Sequence, residues 1–298
     1  MMSDADAARP LKEFKPKHEY FVGIDSDGCA FDTMEIKQKE CFVPNIIKHW
    51  NLQAVSKYVR ETVEFINLYS KWRGINRFPA LINVFDLLRQ RPEVQQRGVS
   101  IPDLQPLRDW IQRETKLGNP VLKKEVERTS DEILARALRW SEAVNATIAE
   151  IVKGVGPFPS VRKCLEKITS CADTIVVSQT PTEALNREWQ EHNLARYVHT
   201  IAGQEMGTKA EHIKFAANGK YPVAHVLMIG DAPGDMEAAR ANSALFFPIN
   251  PGREEPSWQQ LYEEAFDKFI AGEYAGAYEE KLITEFEALL PERPPWEK

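Results

Sequence analysis

The chain has 298 residues, 43% of them hydrophobic and 28% charged, enough to bury one large core or two smaller ones. Its formal net charge of −6 and isoelectric point near 5.7 exclude a general polyanion-binding surface, and with it nucleic acid as a partner, while leaving room for a small basic pocket. No stretch approaches the ~20 consecutive apolar residues that span a bilayer, so no membrane partner is expected either.

The chain opens with MMSDADAARPLKEFKPKHEY, which is polar and holds no apolar leader run. Cys29, Cys41, Cys164 and Cys171 form no CxxC pair and have no histidine at zinc-ligand spacing. Together these features predict a soluble, cytoplasmic protein with reduced thiols. The histidines are scattered without an HExxH arrangement and receive no role.

Tyr20 to Ile24, YFVGI, is a short apolar run that stops abruptly at DSDG, as a buried parallel strand running into a loop would. From Thr33 to Ile151 the sequence changes to long mixed stretches at helical spacing, such as VSKYVRETVEFINLYSKW and EVERTSDEILARALRWSEAVNATIAEIV. Within that helical insertion, SKWRGINRF places Arg73 and Arg77 beside Gly74; they read either as a solvated inter-helix loop or as a grip on a substrate carboxylate or second phosphate. After GVGPFPS, strand and helix alternate: VRKCLEKIT, DTIVVS, TEALNREWQEHN, YVHTIAG, TKAEHIKFAANG, AHVLMIG, DMEAARAN and ALFFPI.

That rhythm predicts an α/β fold, a doubly wound parallel sheet built from residues 18–32 and 152–250, with residues 33–151 inserted as a helical cap. Residues 251–298 read as amphipathic helices, SWQQLYEEAFDKFI and YEEKLITEFEALL, packed on the core, a dimer contact being the alternative. The chain is expected as a monomer or a homodimer.

Polar groups close four of the predicted elements: Asp25 and Asp27 after YFVGI, Ser178 after DTIVV, Lys209 opening a helix after YVHTIAG, and Asp231 with Asp235 after HVLMIG. Singly, each has an ordinary reading as a turn residue, a helix cap or a solvated side chain. Together they imply one crevice, because parallel strands gather their carboxyl ends, and several carboxylates there would repel unless a cation joined them. An oxygen-only set without His or Cys favours Mg²⁺.

The segments DSDGCAFD, VVSQT, GTKAEHI and MIGDAPGD resemble, in order and spacing, the four motifs of the haloacid dehalogenase (HAD) superfamily. The likeness spans roughly residues 18–250 and includes the helical cap this superfamily often inserts after its first strand. It implies a Rossmann-like core in which Asp25 is a covalent nucleophile, Asp27 the acid/base, Ser178 a phosphoryl ligand and Lys209 the neutralising cation. Mg²⁺ would be held by Asp25, Asp27 through its backbone carbonyl, and Asp231, with Asp235 slightly further out. Gly28, Gln179, Arg73 and Arg77 are the candidate substrate-binding residues. Asp27 points to the phosphatase and phosphomutase branches, since the dehalogenases and phosphonatases lack an acid there. Cys29 stands where Thr or Val is common and reads as a small buried side chain, because three carboxylates disfavour a thiolate. Lys214 competes for the lysine role but lies more than one turn into its helix.

The expected function is a Mg²⁺-dependent phosphohydrolase acting on a small phosphorylated metabolite through an aspartyl-phosphate on Asp25. A phosphosugar mutase of the β-phosphoglucomutase kind and a non-enzymatic phospho-relay or binding protein are the alternatives. Substrate choice would fall to the cap, which in this reading closes over the site.

Overall fold

The computed structural model describes residues 7–297, so the first residues of the polar N-terminal stretch and Lys298 lie outside the described residues. The chain divides into two compact units, Met1–Asp32 with Val155–Leu289, and Thr33–Gly154 with Leu290–Lys298.

The first unit holds a five-stranded, all-parallel sheet: β1 (Tyr20–Ile24), β2 (Ala172–Val177), β3 (Thr200–Ala202), β4 (Val226–Gly230) and β5 (Leu245–Pro248), in the order β3-β2-β1-β4-β5. The helices between successive strands include α1 (Val161–Ile168), α2 (Thr182–Glu191), α3 (Lys209–Ala217) and α4 (Pro233–Ala241). This is the α/β architecture the alternation predicts. Apart from Asp173, Thr174 and Thr200, the strands are apolar runs because the sheet interior offers them no solvent: Phe21, Val22, Ile24, Ile175, Val176, Leu227 and Met228 are fully buried. Each such side chain contributes about 2 kcal/mol relative to an exposed one. The strand order reverses at β1, with β2 on one side and β4 on the other, and in such sheets the crevice opens beyond the carboxyl ends at that reversal. Asp25 and Asp231 are the first residues past those two ends.

The YVHTIAG strand is shorter than its apolar pattern suggests. Ala195–Tyr197 form a single turn of 3₁₀ helix and only Thr200–Ala202 pair with β2, as an edge.

The second unit is helical. Its longer helices are Ser56–Leu68, Arg77–Gln90, Gln105–Arg113, Asn119–Thr129 and Glu132–Ile151, packed around Trp50, Phe78, Phe85, Trp110 and Trp140. The stretch EVERTSDEIL, periodic enough to suggest one helix, is two. Ser130 takes a left-handed conformation (φ 53°), and the Asp131 carboxylate accepts from Ile133 N and Leu134 N at 2.8 and 3.0 Å, starting the second helix.

Residues 251–298, expected as one extension packed on the core, are divided between the units. Up to Leu289 they belong to the sheet unit, where Tyr274 OH donates to Phe246 O (2.6 Å) and the Glu279 carboxylate accepts from Phe246 N (2.8 Å). Those two side chains occupy the N–H and C=O of Phe246, which edge strand β5 would otherwise leave open. Trp258 donates its indole N–H to Cys29 O at 2.7 Å, bracing the loop after β1. Residues 290–298 belong instead to the helical unit. Trp296 packs edge-on against Phe65 with centroids 5.5 Å apart and lies under the Arg91 guanidinium at 4.2 Å, a contact area that no amphipathic pattern in PERPPWEK announces.

Candidate active site

β1 ends in an alternation of side chains that sends three consecutive residues to three sets of partners. Asp25, 4% exposed, lies 3.0 Å from Lys209 Nζ. Ser26, fully buried, accepts from Trp189 Nε1 at 3.0 Å and donates to a Glu188 carboxylate oxygen at 3.2 Å, both on α2. The Asp27 carboxylate accepts from the Thr180 hydroxyl at 2.7 Å. The loop turns sharply after them. Gly28 has φ of 78°, a left-handed conformation open to glycine, and its N–H donates to Phe31 O. Ser26 O accepts from Ala30 N and Phe31 N at 2.9 and 3.0 Å, closing the turn.

β4 supplies the opposing acids. Asp231 follows Gly230 directly and is 1% exposed, while Asp235, fully buried, sits in the first turn of α4 with one carboxylate oxygen accepting from Ala232 N at 3.1 Å. Asp235 reaches the site because residue 230 has no side chain: a Cβ there would stand 2.3 Å from the Asp235 Cβ and Cγ. Lys209 enters from the start of α3, whose first turn is fixed by Thr208 accepting from Glu211 N and Glu211 accepting from Thr208 N. Its Nζ lies 2.7 Å from Asp235 and thus bridges Asp235 to Asp25, whereas Lys214 is exposed.

Carboxylate oxygens of Asp25, Asp231 and Asp235 all lie within 4.8 Å of one another, and all three residues are buried. Burial pushes the Asp25 carboxyl up to about 7, Lys209 opposing the rise and Asp231 adding to it. Asp235 is pushed up to about 6 by burial, again against Lys209 and with Asp25. Burial would lower the Lys209 ammonium, but Asp235 and Asp25 outweigh it and hold the group well above the ordinary lysine value. Three acids thus surround one ammonium. A hard divalent cation offset by oxygen donors is what such an excess of buried negative charge accommodates, so the residues fit Mg²⁺. Beside them, the fully buried Cys29 thiol is pushed well above its ordinary value, first by burial and then by Asp231, Asp25 and Asp235, which disfavours a thiolate there.

Of the other residues singled out in the sequence, Ser178 is buried at the end of β2, its Oγ accepting from Thr180 N at 3.2 Å. Gln179 is exposed and its side-chain amide donates to Ser178 O and Gly207 O, tying two loops together. Arg73 and Arg77 lie in the helical unit, where their charges are engaged. Arg73, 2% exposed, donates to Leu68 O at 2.8 Å. Arg77 donates to Ser141 O, Ser141 Oγ and Asn145 Oδ1 and stacks over Phe42 at 5.2 Å. Burial pushes the Arg77 guanidinium down to about 10.

Sequence reasoning missed Ser26, Thr180, Glu188, Trp189 and Gly230. Ser26, Thr180 and Gly230 stood inside the quoted motifs, but none of the three carries a charge to draw the eye.

No protein-family model matches the chain, and no curated protein is similar to it in sequence. Among solved structures it is similar to a haloacid dehalogenase-like family hydrolase from Xanthomonas campestris (14% identity, TM-score 0.44, covering 87% of this chain and 95% of that one). It is also similar to a haloacid dehalogenase-like family protein from Streptococcus pneumoniae (14% identity, TM-score 0.43, 80% and 90%) and to a hydrolase from Pseudomonas syringae (13%, 0.44, 80% and 90%). At such distances the chemistry is read from this chain's own residues.

Proposed function

We propose that this chain is a HAD-type phosphohydrolase that removes the phosphoryl group from a small phosphorylated metabolite, with Mg²⁺ as its cofactor. The observation that carries this reading is the bridge made by Lys209 between buried Asp25 and Asp235, beside Asp231, at the carboxyl ends of adjacent strands. Phosphoryl transfer asks for an in-line oxygen nucleophile and positive charge around the transferred group, and little else.

A carboxylate oxygen of Asp25 attacks phosphorus as the bond to the leaving oxygen breaks; that oxygen takes the electron pair and a proton from Asp27. In the second half Asp27, now a carboxylate, takes a proton from water while the water oxygen bonds to phosphorus and the Asp25 carboxylate departs. Lys209 balances the charge shared by Asp25 and the transferred group, and the Ser178 hydroxyl donates to a phosphoryl oxygen. Mg²⁺ would be held by Asp25, Asp231 and the Asp27 carbonyl, with Asp235 behind them; when bound it draws charge from the phosphoryl oxygens.

The test is a panel of phosphorylated metabolites assayed with Mg²⁺ or with EDTA, for the wild type and Asp25→Asn. Turnover is expected for the wild type with Mg²⁺ alone. Phosphate release that persists after chelation or after the substitution removes this mechanism, and an isomerised phosphosugar among the products reassigns the chain to mutase chemistry.

A further inference from the structure

Resting on that reading, we infer that Thr180 is a positioning residue for the acid/base step, holding Asp27 through its hydroxyl while its backbone holds Ser178. Thr180 lies in the loop between β2 and α2 and joins two residues that are 151 positions apart in the chain: its N–H donates to Ser178 Oγ at 3.2 Å and its hydroxyl donates to Asp27 Oδ2 at 2.7 Å. The loop does not need the hydroxyl for its own shape. Thr180 O accepts from Gln204 N (3.2 Å), and the neighbouring Thr182 is tied to Glu205 through its N–H and its own hydroxyl (3.0 and 2.7 Å), so the local fold rests on groups that a change at the Thr180 side chain leaves in place.

What the hydroxyl does control is Asp27. A carboxyl group turns about its last side-chain bond over a broad, shallow well, so a general acid needs an outside contact to fix its plane. The donated hydrogen bond also distinguishes the two oxygens. Oδ2, already accepting the Thr180 hydroxyl at 2.7 Å, has less electron density left for a proton, so the proton that Asp27 passes to the leaving oxygen is carried on Oδ1. No atom is gained or lost by Thr180 in this scheme: its own proton stays on Oγ1 throughout, the Asp27 proton goes to the leaving oxygen as the P–O bond breaks, and the water proton replaces it in the second half. Ser26 strengthens the arrangement from the other side of the strand end, because Trp189 and Glu188 on the helix that follows Thr180 hold it in place.

The experiment compares wild type, Thr180→Val and Thr180→Ser on nitrophenyl, phenyl and ethyl phosphate, a series in which the leaving oxygen needs progressively more help from an acid. Thr180→Val keeps the shape and removes the donor; Thr180→Ser keeps the donor. For Thr180→Val, kcat/KM on ethyl phosphate, which reports the steps up to departure of the leaving oxygen, is expected to fall on the order of 10-fold or more, while kcat/KM on nitrophenyl phosphate stays near that of wild type. Thr180→Ser is expected to restore the ethyl phosphate rate. A loss of equal size in kcat/KM on all three substrates means that Thr180 serves the fold, and no loss on any means that Asp27 is held without it; either result overturns the inference. A wild type that turns over none of the three, or whose turnover survives Asp25→Asn, overturns the hydrolase reading itself and is a distinct result from those two.

Discussion

Asp173 and Asp25 sit on adjacent strands of one sheet, one near the amino end of β2 and the other just past the carboxyl end of β1, and both are almost wholly shielded from solvent at 0% and 4% exposure. Their surroundings are opposite in kind. Asp173 is surrounded by donors: Lys17 N at 2.8 Å, His18 N at 3.0 Å and Tyr221 OH at 2.7 Å on one oxygen, and the His18 ring at 3.1 Å on the other. Burial alone would raise its carboxyl, but those donors outweigh it and hold the group below the ordinary carboxylate range. Asp25 meets one ammonium and two further acids, and its carboxyl is pushed up to about 7. The amino end of the sheet is a closed structural joint, tying the chain just before β1 to the segment before β4. The carboxyl end carries an excess of negative charge that the fold by itself does not offset, and in the proposed function a cationic cofactor offsets it.

The comparison breaks most visibly at Asp25. Asp25→Asn is expected to lower turnover on the order of 10⁴-fold, since it removes the proposed nucleophile. In the chelated protein the same change is expected to leave the denaturation midpoint unchanged or higher, because it removes a repelled buried charge. A clear loss of stability in EDTA would place Asp25 in the same structural class as Asp173. Asp173→Asn should behave in reverse, costing about 3 kcal/mol in urea denaturation by setting an amide N–H₂ against groups that are already donors, while kcat in the surviving folded protein stays near that of wild type.

Gly230→Ala tests how tightly the carboxyl end is packed. The added methyl must displace Asp235 or the start of α4, at a cost of about 2 kcal/mol and with a fall in turnover, whereas an alanine tolerated with full activity would show that Asp235 need not approach so closely. The smallest effects belong to pH and His18. The folded carboxyl of Asp173 lies below its ordinary value of 3.8, so the stability it confers is fully present above that value and is lost as pH falls through the depressed one. Thermal melts across the acid range should therefore decline less steeply for Asp173→Asn than for wild type. His18→Ala, which removes one half-exposed ring contact and leaves the two backbone N–H donors, is expected to cost less than about 1 kcal/mol.

The amino-acid sequence determined the parts of this molecule that depend on neighbours along the chain. YFVGI and HVLMIG read as strands because buried parallel strands are apolar on both faces, and their abrupt ends at Asp25 and Asp231 placed two of the acids. Lys209 was legible as a helix start because Thr208 and Glu211 form a local capping pair. The break in EVERTSDEIL was harder to read, since a left-handed serine is a choice among local conformations that periodicity does not report. Only the tertiary structure decided which of these pieces meet. The Lys209 bond to Asp235 spans 26 residues, Thr180 to Asp27 spans 153 and Tyr221 to Asp173 spans 48. Such pairs are set by strand order and by which helix packs beside which strand, and that order follows from burial of the whole core, a sum over distant residues that no short segment contains. For the same reason the last residues, polar and proline-rich, gave no sign that Trp296 would be held by Phe65 and Arg91 of the helical unit.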